Sequence, residues 1–225
     1  MIDALVFDFD GLILDTESVD FQAWRETYEF YGAELPMELW GLGVGIAISE
    51  FDPADYLEQQ AGRGIDIHEA KARYRDRMQA LLNGLTPLPG VLDYIESAKS
   101  MGIKLGVESS APISWVEGHL KKQGIYDDFE VVRCFEHVDN AKPAPDLYLL
   151  ACADLGVAVD RAIAFEDSPN GVLAAKRAGM YCVAVPNSVT AQLEIRHADR
   201  VIRSMAEEPL AGLIASVTER APLAI

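Results

Sequence analysis

The stretch Ala4-Leu5-Val6-Phe7-Asp8-Phe9-Asp10-Gly11 decides the fold. Its first four residues form a short apolar run with β-formers, and the run ends in an acidic turn with a glycine. It reads as a buried strand that delivers Asp8 and Asp10 into a loop. Further along, the pattern returns. Leu92, Ile95, Ala98 and Met101 recur at helical spacing over residues 89–101, with Gly102 as the stop, and a strand fits 103–107. Helices over 112–123 and 145–155 close on Gly124 and Gly156, and a strand fits 162–165. Ser168-Pro169 supplies an N-cap and a proline at the first helical position, opening a helix to Ala178 ahead of a strand over 181–185. A weaker strand at 200–202 and a terminal helix over 207–217 complete the alternation. Elements of these lengths in this order imply an α/β fold with a doubly wound, mainly parallel sheet.

Residues 16–85 break the alternation and read as wholly helical. The first helix covers 18–31 and stops at Gly32, the second starts at Asp52-Pro53 and stops at Gly62, and the third covers 66–82. This block is expected to be a helical cap domain over residues 16–85, inserted into a core domain of residues 1–15 and 86–225. Its hinges are Asp15-Thr16-Glu17 and residues 85–90.

The 225 residues carry 36 acidic and 19 basic side chains, a net charge of −17, with no basic run of the kind a nucleic-acid binder needs. No apolar stretch is long enough for a membrane span, so a soluble globular protein with neither nucleic-acid nor membrane partners is expected. The N-terminus shows no secretory signal. Cys134, Cys152 and Cys182 are odd in number and lack a C-x-x-C pair, which suits reduced thiols in the cytoplasm. His68, His119, His137 and His197 are too scattered for metal ligation.

In a parallel sheet the ligand crevice lies at the carboxyl ends of the strands. Four polar clusters fall there: Asp8 and Asp10, Ser109 and Ser110, Lys142, and Glu166-Asp167. Asp8, Asp167 and Glu166 are hard oxygen donors suited to Mg²⁺. Asp8 is the candidate nucleophile toward phosphorus, and Asp10 the candidate acid that protonates the leaving oxygen and then the base that deprotonates water. Ser109 and Lys142 are placed to hold phosphoryl oxygens, and Gly11 is a further candidate for substrate contact.

Residues 8–17, Asp8-Phe9-Asp10-Gly11-Leu12-Ile13-Leu14-Asp15-Thr16-Glu17, resemble the first motif of the haloacid dehalogenase-like superfamily. Lys142-Pro143-Ala144-Pro145-Asp146 and Phe165-Glu166-Asp167-Ser168-Pro169-Asn170-Gly171 resemble its third and fourth. The resemblance runs nearly the whole chain, and the cap falls where the β-phosphoglucomutase and phosphoglycolate phosphatase branch inserts one. It implies a Rossmann-like core, Mg²⁺ dependence, an aspartyl-phosphate on Asp8 and metal ligation by Asp8, Asp167, Glu166 and the backbone carbonyl of Asp10. One residue departs from the family: Glu108 stands before Ser109 where relatives carry a small or uncharged side chain. A salt bridge or an exposed turn is the plainer expectation for it, and contact with a cationic or hydroxylated part of the substrate the sharper one. Strand alternation should aim Glu108 away from Ser109.

Specificity should come from the cap. Lys71 and Arg77 flank the apolar stripe of the third cap helix and are candidates for an anionic group of the substrate, although long cations beside an apolar face often reach back to water. Trp24, Trp40 and Trp115 read as packing residues, and residues 41–45 as a loop lining the pocket. The expected activity is Mg²⁺-dependent hydrolysis of a small phosphate ester, a sugar phosphate or similar metabolite. The close alternative is a phosphomutase of the β-phosphoglucomutase type, and the remote one a non-catalytic phosphate-binding regulatory domain. Mutases of that type carry a histidine five residues after the second aspartate of the first motif, and counting from Asp15 this chain has Asp20.

Overall fold

The computed structural model describes residues 1–45, 51–61 and 64–220. In it the opening apolar run is β1 (Ala4–Asp8), every residue of which is buried. The other strands are β2 (Lys104–Ser109), β3 (Val131–Cys134), β4 (Ala162–Glu166), β5 (Tyr181–Ala184) and β6 (Arg200–Val201). They form one parallel sheet in the order β3-β2-β1-β4-β5-β6. The order reverses between β1 and β4, so the crevice opens beside the carboxyl end of β1.

Helices cover both faces. Leu5 and Phe7 point into the cluster built with α5 (Val91–Ser100), α6 (Ile113–Gln123) and α9 (Leu210–Arg220). Ala4 and Val6 point the other way, into the cluster of α7 (Asp146–Leu155) and α8 (Pro169–Ala178). Burial on both faces explains why β1 reads as a continuous apolar run rather than an alternating one. Gly124, Gly156 and Gly179 end α6, α7 and α8 in the left-handed conformation, and the Ser168 side chain caps α8 through the Gly171 amide.

β3 is an element the sequence reading lacks. It is four residues long, and charged turns flank it. The terminal helix also starts later than expected, because residues 205–207 form a separate 3-10 turn.

The 16–85 block consists of α1 (Thr16–Phe30), the single turn α2 (Met37–Trp40), α3 (Pro53–Ala61) and α4 (Ile67–Leu82). Asp15 and Asp66 cap α1 and α4 with their side chains. The expected stop of the second cap helix at Gly62 lies outside the described residues. The block has its own apolar cluster around Trp24, Tyr28, Leu57 and Ala70, into which Val189 of the core packs. Its loop touches the core through backbone carbonyls: Asn170 Nδ2 donates to Val44 O (2.8 Å) and Ser110 Oγ to Gly45 O (3.3 Å). Gly45 has φ +77°, and a Cβ there would stand 2.3 Å from Ser168 Oγ, so the approach requires glycine.

No helix among the described residues is long and apolar enough to cross a membrane. The three cysteines are buried free thiols.

Candidate active site

Sheet register builds the centre of the site. Asp8 pairs with Glu108, and Glu166 follows directly on Phe165, the partner of Phe7, so three carboxylates arrive at one level on one face. The ammonium of Lys142 sits among them, 2.5 Å from Asp8 Oδ1, 2.6 Å from Glu108 Oε1 and 2.7 Å from Glu166 Oε1. Tyr148, reaching up from α7, donates its hydroxyl to Glu166 (2.7 Å). All five residues are buried. Burial alone would lower the Lys142 pKa; the three carboxylates reverse that and hold it well above its ordinary value.

The three acids alone have the spacing of a metal chelate, but the ammonium already occupies their centre. The cluster is therefore an ammonium cage. Glu108 is accordingly not solvent-exposed. It is an ion-pair partner whose oxygens accept no aligned hydrogen bond, and burial holds its pKa at about 7. Glu166, expected among the metal ligands, has its carboxylate engaged by Lys142 and Tyr148.

Asp8 is pushed well up, first by burial and then by Glu166 and Glu108, with Lys142 opposing. Asp167 is pushed well up by burial, Asp8, Glu166 and Glu17, and its Oδ2 accepts from Asn187 Nδ2 (2.7 Å). Among the described residues four buried carboxylates, Asp8, Glu108, Glu166 and Asp167, face a single buried cation, Lys142. That imbalance, with hard oxygen donors on Asp8 and Asp167, fits a divalent cation such as Mg²⁺. Gly11, a candidate for substrate contact, has another role: with φ +84°, a Cβ there would meet Asp167 Oδ2 at 2.3 Å, so its bareness makes room for that carboxylate.

Asp10 is half-buried and held from three directions. Its Oδ1 accepts from Thr16 Oγ1 (2.7 Å) and Trp115 Nε1 (2.9 Å), and its Oδ2 from Ser109 Oγ (3.3 Å). Burial raises its pKa, and these donors moderate the rise. Ser109 therefore points away from Glu108, as strand alternation requires. Trp115, expected only to pack, is a polar partner of Asp10. The available signal was chemical, since a tryptophan beside a polar loop needs an acceptor for its N–H. Asn187, three residues beyond the end of β5, was detectable by its place just past a strand's carboxyl end.

A cleft of about 580 Å³ joins this centre to the cap; Asp8, Asp10, Ser109, Lys142 and Trp115 line one side, and Glu17, Asp20, Tyr74, Arg75 and Met78 the other. A second cavity of about 590 Å³ continues into the cap past Trp24, Trp40, Gly43, Val44 and Lys71. Asp20 accepts from the Tyr74 hydroxyl (2.7 Å), and burial raises its pKa to about 6. Trp24 stacks on Tyr74 with centroids 4.3 Å apart, a packing role as expected.

Lys71 borders the inner cavity, 3.9 Å from Asp52. Arg77 does not reach the cleft. It is turned onto α1, where Nε and Nη2 grip Glu26 at 2.6 and 3.0 Å. The cation facing both cavities is Arg75, which the sequence reading passed over.

Fold and site together define a carboxylate-centred hydrolase on a parallel α/β sheet. The haloacid dehalogenase-like hydrolase family matches residues 5–185, and the chain belongs to that family. It is 46% identical over 214 residues to YhcW of Bacillus subtilis, provisionally named a phosphatase, covering 95% of this chain and 97% of that one. It is 33% identical over 187 residues to the phosphorylated carbohydrates phosphatase of Thermotoga maritima, covering 80% and 82%. Among solved structures, a variant of CbbY from Rhodobacter sphaeroides in complex with xylulose-(1,5)-bisphosphate aligns with a TM-score of 0.69 at 31% identity, covering 95% and 99%. The chain is a phosphoric monoester hydrolase.

Proposed function

We propose that the chain hydrolyses the phosphate ester of a small hydroxylated metabolite, a sugar phosphate or a close analogue, through an aspartyl-phosphate on Asp8. The observation that carries this reading is the pairing of two aspartates with opposite surroundings: Asp8 against the Lys142 ammonium, Asp10 among neutral donors. An Asp8 oxygen attacks phosphorus while the bond to the leaving oxygen breaks, and the Asp10 carboxylic acid gives that oxygen its proton. Water then attacks the aspartyl-phosphate, Asp10 takes its proton, and inorganic phosphate and free Asp8 result. Lys142 and Ser109 hold the phosphoryl oxygens. Asp8, Asp167 and the carbonyl of Asp10 would hold Mg²⁺, which when bound offsets the repulsion between carboxylate and phosphate.

Residues 16–85 act in this reading as a cap domain over a core of 1–15 and 86–225, and close the site against water. Arg75 and Lys71 border the volume left for the leaving group, and the names of the Thermotoga relative and of the CbbY complex support a sugar there. The cytoplasm, where thiols stay reduced, suits three buried free cysteines.

Asp20 distinguishes this reading from the mutase. It bonds Tyr74 and has no N–H with which to steer Asp10. With Mg²⁺ and a panel of sugar phosphates, phosphate release is expected, with no conversion of β-glucose 1-phosphate to glucose 6-phosphate when a glucose bisphosphate is supplied. Isomerisation outpacing phosphate release by about tenfold, roughly 1.4 kcal/mol in barrier height, would replace the phosphatase with the mutase.

A further inference from the structure

Asp10 receives its donors from three separate elements, and they differ in kind. Thr16 opens α1 at the hinge, Ser109 ends β2, and Trp115 lies in the first turn of α6. The threonine and serine hydroxyls can each donate or accept. The indole N–H can only donate. Its 2.9 Å bond therefore commits Asp10 Oδ1 to accepting, and the short Thr16 bond falls on the same oxygen. Oδ2 has only the 3.3 Å contact from Ser109. The two oxygens are thus unequal, and the less encumbered one is free to exchange a proton with a substrate in the cleft.

Trp115 is itself fixed from behind. His119, one turn further along α6, packs edge-on against the indole with centroids 4.3 Å apart, and Phe9 stands 6.1 Å beyond the His119 ring. Neither contact involves the cap. The Trp115–Asp10 bond joins two pieces of the core, so it does not depend on where residues 16–85 stand.

We propose that Trp115 is a positioning residue for the acid–base group: its indole N–H pins Oδ1 of Asp10 so that Oδ2 faces the reaction, whatever the position of the cap. The proposal rests on the phosphatase reading of Asp10. It also gives that reading a physical basis, because with Trp115 and Ser109 of the core donating to Asp10 the group does not depend on a donor at position 20, and Asp20 supplies none. The leaving group and the attacking water would then meet an Asp10 already oriented, as efficient hydrolysis requires and a mutase must prevent.

The test is a double-mutant cycle on kcat and KM for p-nitrophenyl phosphate with Mg²⁺, combining Trp115→Phe with Asp10→Asn. Phenylalanine keeps a ring against His119 and deletes the donor. The expected result is a kcat lower by about tenfold with KM changed less than about twofold, from misorientation of the reacting group. In the Asp10→Asn background the same substitution should change kcat by less than about twofold, since groups that act through one another are not additive. Trp115→His offers a ring N–H two bonds from Cγ, as indole does, and should recover most of the lost kcat. Equal losses in both backgrounds, a changed KM with unchanged kcat, or no rescue by histidine would overturn the positioning role and leave the phosphatase standing. An Asp10→Asn enzyme as active as wild type would instead refute the acid–base reading itself. Circular dichroism melts of each variant separate unfolding from these outcomes.

Discussion

Replacing Glu108 with glutamine keeps the side chain's shape, removes its charge, and leaves Lys142 paired with Asp8 and Glu166. Burial holds the Glu108 carboxyl at about 7 in the native protein, against an ordinary value of 4.5. A carboxyl whose pKa is raised on folding binds its proton more tightly in the native state, so ionising it costs stability. That cost is absent below about pH 4.5, grows between 4.5 and 7, and is constant above. Across the whole window it amounts to about 3 kcal/mol, undiminished by solvent because the residue is fully buried. In metal-free buffer with EDTA, Glu108→Gln should therefore be more stable than wild type by about 1 kcal/mol at pH 5 and by about 3 at pH 8. Urea unfolding followed by circular dichroism at the two pH values measures the gap, and the widening with pH is the diagnostic quantity. A variant less stable than wild type at pH 8 would mean that the Lys142 pair outweighs the burial of the carboxylate. A gap that ignores pH would mean that the Glu108 carboxyl ionises alike in the folded and unfolded chains.

Asp8→Asn should abolish turnover while leaving the circular dichroism spectrum unchanged; activity within about tenfold of wild type would remove Asp8 as nucleophile. Mg²⁺ should raise the melting temperature of wild type by mass action, and Asp167→Ala should lose most of that rise; full activity in EDTA would refute the metal requirement. Arg75→Ala should raise KM for a sugar phosphate, whereas Arg77→Ala, at a half-buried pair with Glu26 away from the cleft, should leave KM within about twofold. The reverse pattern would refute the orientation of α4 toward the cleft.

What the sequence discloses here follows how local each signal is. Asp8 and Asp10 lie two residues apart at the end of an apolar run, and Ser168-Pro169 caps its helix through a bond three residues long, so both are readable in a single window. Lys142 converges on Asp8 from 134 residues away, and the family resemblance rather than spacing ties the two together. The orientation of α4 failed for a physical reason. A helical wheel identifies the apolar stripe but not which flank faces the cleft, and here Glu26 on α1 draws Arg77 outward and leaves Arg75 at the mouth. Glu108 was visible as an anomaly, but its partner was not, because the cage exists only once β1, β2 and β4 are in register. β3 is short and depends on pairing with β2 rather than on its own pattern.

The bonds by which the cap loop meets the core use the carbonyls of Val44 and Gly45 as acceptors and core side chains as donors. A carbonyl is the same whatever side chain its residue carries. The side chains along 42–44 can therefore be exchanged without removing either bond, while Gly43 and Val44 line the inner cavity where, in the proposed reading, a leaving group would lie. If the cap works as proposed, its contact with the core and its selectivity are carried by different atoms of one short loop, and a change of substrate preference need not weaken the contact. Gly45 is exempt, since a Cβ there would stand 2.3 Å from Ser168 Oγ, and so is Gly41, where a Cβ would stand 2.4 Å from Leu193 Cδ2. Randomising 42–44 with Gly41 and Gly45 fixed is accordingly the library in which altered preference is expected among variants that keep both bonds.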